Sequence, residues 1–238
     1  MAKNLAPAPP AKRRYNSSRR ALQAAQTRQD VLLAAVRLFQ ANGWTGTTLA
    51  AVADEAGVAV ETVYNAFGSK KGLLRAAIDV AVVGDVEPVP FAERPEFFAL
   101  GEGTLEERIA RAAALNYAIN ERSAGVWQAI AAAATSDEEV DAWRVAMEQS
   151  RRLDIARSAE RVLGAAVDDR LVTALWLLYS ADSYLKLVAD EGMSAEDYQA
   201  FIADATRRLG VSELQPPAPS RTSAPATSSR SSAPPNRS

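Results

Sequence analysis

The chain has 238 residues, 48% of them hydrophobic, with four Trp and a formal net charge of −2; that is apolar mass for one large domain or two small ones and excludes a wholly disordered protein. Neither Cys nor His occurs, which excludes disulfides, thiolate or imidazole metal ligands, and any side chain that titrates near neutrality without a perturbed environment. The charge is uneven: residues 1–84 carry 11 Lys or Arg against 5 Asp or Glu, and residues 85–238 carry a balance of −8, as suits a basic head on a body that avoids polyanions.

Residues 1–26 are rich in Ala, Pro, Ser and Arg and hold six basic residues, Lys3, Lys12, Arg13, Arg14, Arg19 and Arg20, with no acid. This composition predicts a disordered basic arm. It either lies along DNA phosphates or in a minor groove, or serves only as a solubilising tail. No apolar stretch follows the basic residues as a secretory signal requires. The longest apolar run, Leu171–Ala181, is far below the roughly 20 residues that span a bilayer. A cytoplasmic location with no membrane partner is expected.

A first helix is predicted over Thr27–Asn42, with Val31, Ala34, Ala35, Leu38 and Phe39 as its inner stripe and Asn42-Gly43 as its stop. Trp44 is expected beneath this unit. Thr47 or Thr48 can cap the next helix by accepting a bond from an otherwise orphaned backbone N–H. From Thr47 to Leu74 the apolar residues Leu49, Val52, Ala53, Ala56, Val63 and Phe67 recur at helical spacing on both sides of Ala56-Gly57-Val58. Gly57 can take positive φ and let one helix end and another begin within a few residues. Small Ala53 permits a close crossing, and Val63 projects from the second helix into the shared core. These offsets describe a helix-turn-helix, in which the second helix, about Val60–Phe67, enters a DNA major groove. The other reading is a helical hairpin packed only for stability.

The stretch from Thr27 to about Ala81 resembles the DNA-binding domain of TetR-family transcriptional regulators. The resemblance rests on LFQANGW before the turn, T-T-L-x-x-V-A-x-E-A-G-V across it and T-V-Y-x-x-F-x-S-K-x-x-L-L after it. It implies an all-α protein with a helix-turn-helix head over 27–83 and a helical body for effector binding and dimerisation. It also implies phosphate contacts at the helix start near Thr47 and Thr48, and at Tyr64 and Lys70. Lys71 lies close by, and Arg28 is a further cation near the groove. The sequence departs from the family where a Ser is usual at Ala59 and a small or basic pair at Val60 and Glu61. The second helix therefore has no strong cap and no Lys or Arg. Base reading then falls to Ala59 or Val60 against thymine methyls and to Thr62 and Asn65 by hydrogen bonding. Glu61 either accepts from a cytosine amino group or repels phosphate. Tyr64 has a core role as its alternative.

A fourth helix, Ser69–Val83, links head to body, followed by a loop over 84–103 with a short helix at Pro95–Leu100. The body, 104–210, is expected to contain helices at Thr104–Glu121, Ser123–Thr135, Asp137–Gly164, Asp168–Asp190 and Ser194–Leu209. Charges one turn apart in the third of these, such as Glu148 and Arg152, read as a solvated face. The Asp168–Asp190 helix is apolar on two sides and is expected to be buried on both. By the resemblance, residues 168–209 form a homodimer interface. Residues 211–238 are expected to be a disordered tail. The resemblance also implies a small-molecule site within the body. Tyr117, Trp127, Trp143, Met147, Trp176 and Tyr179 are candidates, with Asn116, Asn120, Gln128, Thr173 and Asp182 as polar contacts; all suit an ordinary helical core equally.

A ligand-responsive repressor that binds double-stranded DNA is the leading reading. An architectural DNA-binding dimer with a filled core and no effector is the alternative, separated from the first by whether the body encloses a cavity of a few hundred Å3. No phosphate-cradling glycine motif or nucleophile elbow is present, which with the missing His and Cys argues against an enzyme. No cofactor or metal is called for.

Overall fold

The computed structural model describes residues 12–87 and 89–214, with side-chain surroundings for 19–87 and 89–210. Among the described residues all regular structure is helical. The head contains α1 (Lys12–Gly46), α2 (Leu49–Ala56), α3 (Val60–Phe67) and α4 (Lys70–Val83). A tied loop carries α5 (Pro95–Ala99), and the body contains α6 (Leu105–Ala134), α7 (Glu138–Leu163), α8 (Asp169–Leu178), α9 (Ala181–Tyr184) and α10 (Ala195–Leu214).

The first departure from expectation is at the N-terminus. Residues 12–26 are not an irregular arm; they are the first turns of α1. The stretch after Pro10 has no Gly or Pro until Gly43, and Arg, Ala, Leu and Gln are strong helix formers. A helix already nucleated downstream gains one hydrogen bond per residue as it propagates backward. Residues 1–11 of the expected arm lie outside the described residues. At the other end α1 kinks at Gly43 (φ 63°, ψ −167°), the stop expected at Asn42-Gly43.

Val31, Ala34, Ala35 and Phe39 of α1 pack with Val52, Ala53, Val63, Leu73, Leu74 and Ile78, but this cluster continues without a break into Val126, Ala129 and Ile130 of α6 and Val140 and Trp143 of α7. Head and body therefore share one core. The 84–103 segment that joins them in sequence is fastened: Arg94 donates to both carboxylate oxygens of Asp85 at 2.6 and 2.9 Å and to the Val89 carbonyl at 3.0 Å. These bonds from Arg94 hold the Asp85 carboxyl below its usual range. The short helix foreseen at Pro95–Leu100 is α5, with Pro at its first position.

The helices foreseen at Thr104–Glu121 and Ser123–Thr135 are one 30-residue helix. Ser123 starts nothing, because its hydroxyl donates to the Ile119 carbonyl at 2.7 Å within the same helix. Thr104 and Glu107 form a capping box at its start. Gly125 sits where α6 meets α1: a Cβ there would lie 2.8 Å from Gln40 Cα and 3.0 Å from the Gln40 carbonyl oxygen. A Gly125→Val protein is expected to lose about 1–3 kcal/mol of stability by overpacking, measured by urea unfolding at unchanged m; an unaltered midpoint would show that the two helices can part freely.

The Asp168–Asp190 helix is broken. α8 ends at Leu178, α9 begins at Ala181, and the two segments are bent by 45°. Ser180 caps the second by accepting from Ser183 N at 3.1 Å. The Tyr179 carbonyl, released from the helix, accepts from Asn116 Nδ2 (3.0 Å), Asn120 Nδ2 (3.2 Å) and Arg151 Nη1 (3.4 Å). Beyond Tyr184 the chain winds as a π turn over Leu185–Asp190. Leu171, Val172 and Leu175 are buried and Leu178 packs on its own subunit, whereas Leu177 is 55% exposed. α10 runs to Leu214, four residues into the expected tail; 215–238 lie outside the described residues. No single helix among the described residues is long and apolar enough to cross a membrane.

Candidate DNA-binding surface and effector cavity

The turn between α2 and α3 is built as its sequence demands. Gly57 stands at φ 67°, ψ 34°, and the N–H of Val58 reaches back to the Ala53 carbonyl at 2.9 Å, closing a left-handed helix end. α3 buries a single side chain, Val63, at 0% exposure. Ala59, Val60, Glu61, Thr62, Tyr64 and Asn65 all remain exposed, Tyr64 by 60%. Six candidate residues thus share one helix surface, and the core alternative for Tyr64 is not what the fold adopts. Ala59 at the N-cap makes no side-chain cap bond, so the first N–H groups of α3 keep no side-chain acceptor there.

The two threonines divide. Thr48 caps α2, accepting from Ala51 N at 3.0 Å, and is exposed beside the turn. Thr47 is 1% exposed and donates to the Leu38 and Gly43 carbonyls at 3.0 and 2.8 Å. Its hydroxyl fastens the kink of α1 and is not on the surface, so Thr47 is withdrawn from the contact set.

The cations expected to face phosphate are committed elsewhere. Lys70 donates to the Trp44 carbonyl and lies 4.1 Å from the Trp44 ring centroid, where burial pushes its ammonium pKa down. Lys71 reaches from α4 to Glu139 and Asp137 at the start of α7, and those hydrogen bonds push its pKa up. Arg28 donates to the Ala66 carbonyl at 3.0 Å with its guanidinium 4.3 Å from the Phe67 ring centroid, clasping α1 to the end of α3.

Behind the head lies a cavity of about 800 Å3 walled by α1, α4, the 85–91 loop, α6, α7 and the α8–α9 break. Trp127, Met147 and Tyr179 line it, as do Asn116, Asn120, Gln128 and Asp182. The two asparagine amides are occupied by the Tyr179 carbonyl, and Asn116 Oδ1 accepts from the Tyr198 hydroxyl at 2.8 Å. Three aromatic candidates stand elsewhere. Tyr117 packs edge-on against Tyr184 and Tyr198, Trp143 is in the core, and Trp176 donates from Nε1 to Glu148 at 3.0 Å. Thr173 bonds within α8 and accepts from Arg152 at 2.8 Å. Aromatic character alone did not separate cavity from core, because both are apolar.

What the sequence reading missed is α7. Arg144, Met147, Glu148, Arg151, Asp154 and Ser158 all line the cavity, and their three- and four-residue spacing marks one helix face. That stripe, taken for a solvated face, is a wall. Glu148 pairs with Arg151 at 3.2 Å, not with Arg152, which turns to Asp169. Asp154 and, on α4, Asp79 have carboxyls pushed up by burial, each pulled partly back by a nearby Arg. Tyr179 is also desolvated, its phenol pushed up to about 12, with Thr206 at 2.9 Å. Among the described residues no group of acids is placed to hold a metal ion.

The exposed second helix of a helix-turn-helix, carried by a body that is helical among the described residues, defines the class by fold: a helix-turn-helix head on an all-helical body. Residues 31–77 match the family model of bacterial regulatory proteins, tetR family. A Rhodococcus sp. protein assigned to the TetR-family transcriptional regulators shares the fold at a TM-score of 0.59 and 18% identity over 78% of this chain and 99% of that one. A TetR transcriptional regulator from Rhodococcus sp. RHA1 aligns at a TM-score of 0.44 and 21% identity over 77% of this chain and 96% of that one. Comparison with curated proteins finds no match. The likeness to that family by sequence is thus confined to the head, and the likeness of the body is one of fold.

Proposed function

We propose that the protein is a homodimeric transcriptional repressor that grips double-stranded DNA through the exposed face of α3 and is released when a small molecule occupies the cavity. The observation that carries this is the position of α4. It supplies part of the cavity wall through Ala76, Asp79 and Val83, and it follows α3 directly. Both its ends are tied to the body, by Lys71 to Asp137 and Glu139 and by Arg122 to the Ala81 and Val82 carbonyls. An occupant pressing on α4 changes the setting of α3. Differential affinity for the two settings is what an effector needs. The desolvated carboxyls of Asp79 and Asp154 favour an apolar molecule that brings hydrogen-bond donors or positive charge. A purely architectural protein would gain stability by filling such a volume.

In this reading Ala59 and Val60 meet thymine methyls, Thr62, Asn65 and Glu61 read base edges, and Tyr64 and Thr48 meet phosphate. The dimer forms through residues 168–209. The test is selection of genome fragments by the full-length protein, repeated with candidate small molecules and with Asn65→Ala. The variant is expected to lose about 1–3 kcal/mol of discrimination at particular base positions, and one class of molecule to release the selected DNA. Selection unchanged by every molecule would leave the DNA reading standing and remove the effector; no enrichment at all would remove both.

A further inference from the structure

The polar groups on the cavity wall are unequally engaged. No Lys lines the cavity, and its three Arg all donate to the protein. Arg28 holds the Ala66 carbonyl, Arg144 holds Asp141 at 2.6 Å, and Arg151 holds Glu148 and the carbonyls of Trp176 and Tyr179. The Asn116 amide is used at both its nitrogen and its oxygen, and the Asn120 nitrogen donates to the Tyr179 carbonyl. Six acids line the same space. Three are paired: Asp85 with Arg94, Glu148 with Arg151, and Asp154 with Arg157 at 3.6 Å. The other three, Asp79, Glu87 and Asp182, make no direct ion pair among the described residues. The donors left over on the wall, at Trp127, Gln128, Ser150 and Ser158, are all neutral. The wall therefore has negative charge to offer an occupant and no positive charge that is not already bonded.

The three unpaired acids are not equivalent. Glu87 is exposed on the 85–91 loop, and Asp182 sits in the first turn of α9, where it complements that helix's own start. Asp79 stands on α4 between the buried Ile78 and Val80, with Ala76 and Val83 also on the wall. It remains open to an incoming molecule. Arg75, exposed one turn earlier on α4, acts on Asp79 through its field without bonding it; burial is the larger effect and pushes the carboxyl up. A carboxylate in such a place keeps its charge at least cost when a cation comes to it. A compact metal ion is not that cation, because the acids do not converge. An organic cation is, since it brings apolar surface for Trp127, Met147 and the aliphatic wall to cover.

We infer that the cavity is selective for organic cations: it takes an apolar molecule bearing one positive charge, with Asp79 as the counter-charge. The inference rests on the effector reading of the cavity and narrows the occupant to one charge type. It also assigns the selecting contact to α4, the helix that follows α3 directly. The residue that chooses the molecule is then carried by the element through which occupancy reaches the DNA-facing helix.

Two probes of one shape and opposite charge test this, tetraphenylphosphonium and tetraphenylborate. Each is titrated by calorimetry into the full-length protein and into full-length Asp79→Asn, which removes the charge and keeps the side chain's size. Wild type should bind the phosphonium about tenfold more tightly than the borate, the effect of one partly screened charge at close range. Asp79→Asn should erase that preference by weakening the cation and not the anion, with a thermal melt like that of wild type. Equal affinity for the two ions, or tighter binding of the borate, would overturn cation selectivity and leave the cavity standing as an effector site. A preference that survives Asp79→Asn would overturn Asp79 as the counter-charge. If the variant melts early, the ratio of the two wild-type affinities alone decides selectivity. Failure of wild type to bind either ion would overturn the inference and count against the effector reading as well.

Discussion

A protein carrying Leu177→Glu and Phe201→Glu is expected to sediment as a monomer and to bind its DNA site about 10²–10⁴-fold more weakly. Leu177 on α8 and Phe201 on α10 are 55% and 45% exposed, large apolar groups on the two helices expected to meet a second copy. Carboxylates there would be desolvated without partners in a closed interface, at a cost of several kcal/mol. Separating the subunits then removes the second head, and with it the gain from a linked second contact. The choice of residues matters. Leu178, the next residue on α8, packs on its own subunit between two core clusters, and a charge there would unfold the body instead. Sedimentation velocity checks the state, with circular dichroism confirming unaltered helix content. A double variant that stays dimeric would place the interface elsewhere.

Val63→Asp is expected to abolish DNA binding and lower the melting temperature sharply, while Tyr64→Ala weakens binding with no change in melting. The contrast follows from adjacent positions on an eight-residue helix. Val63 is the only side chain α3 buries fully, at 0% exposure, with Phe67 packed partly against the same core and clasped by Arg28. An unpaired carboxylate at position 63 costs about 3–5 kcal/mol. Val63→Ala, which leaves only a small void, costs about 2 kcal/mol. Tyr64 is 60% exposed and has little folding energy to lose. Calorimetry paired with binding to a selected fragment separates the two. A Tyr64→Ala protein with wild-type affinity would remove this residue from the contact set, and a Val63→Asp protein with a wild-type melt would show that α3 is held by something else.

The head was legible because its instructions are local. Gly57, Ala53 and Val63 specify a turn, a crossing and a peg within eleven residues, and each acts on its immediate neighbours. The body was less so, for reasons of the same kind. Nothing local distinguishes the start of a helix at Ser123 from a hydroxyl bonded back to Ile119, and nothing in the 168–190 pattern announces the break at Tyr179, whose carbonyl is secured by residues from 28 to 63 positions away. The charged stripe on α7 has the spacing of a solvated face, and only the placement of α4 and α6 opposite it makes a cavity wall. Sequence position likewise does not show what Lys70, Lys71 and Arg28 bond to within the subunit. Their partners Trp44, Asp137, Glu139 and Ala66 are set by tertiary packing.

The break at Tyr179 gives one residue several dependants. Its carbonyl is held by α6 and α7, its hydroxyl meets Thr206 on α10, and its ring forms part of the cavity wall. Positions 116, 120, 151 and 206 are scattered along the chain, yet a change at any of them alters the setting in which the others work. Their substitution energies cannot be summed. A variant that re-shapes the cavity must therefore be sought by changing these positions together.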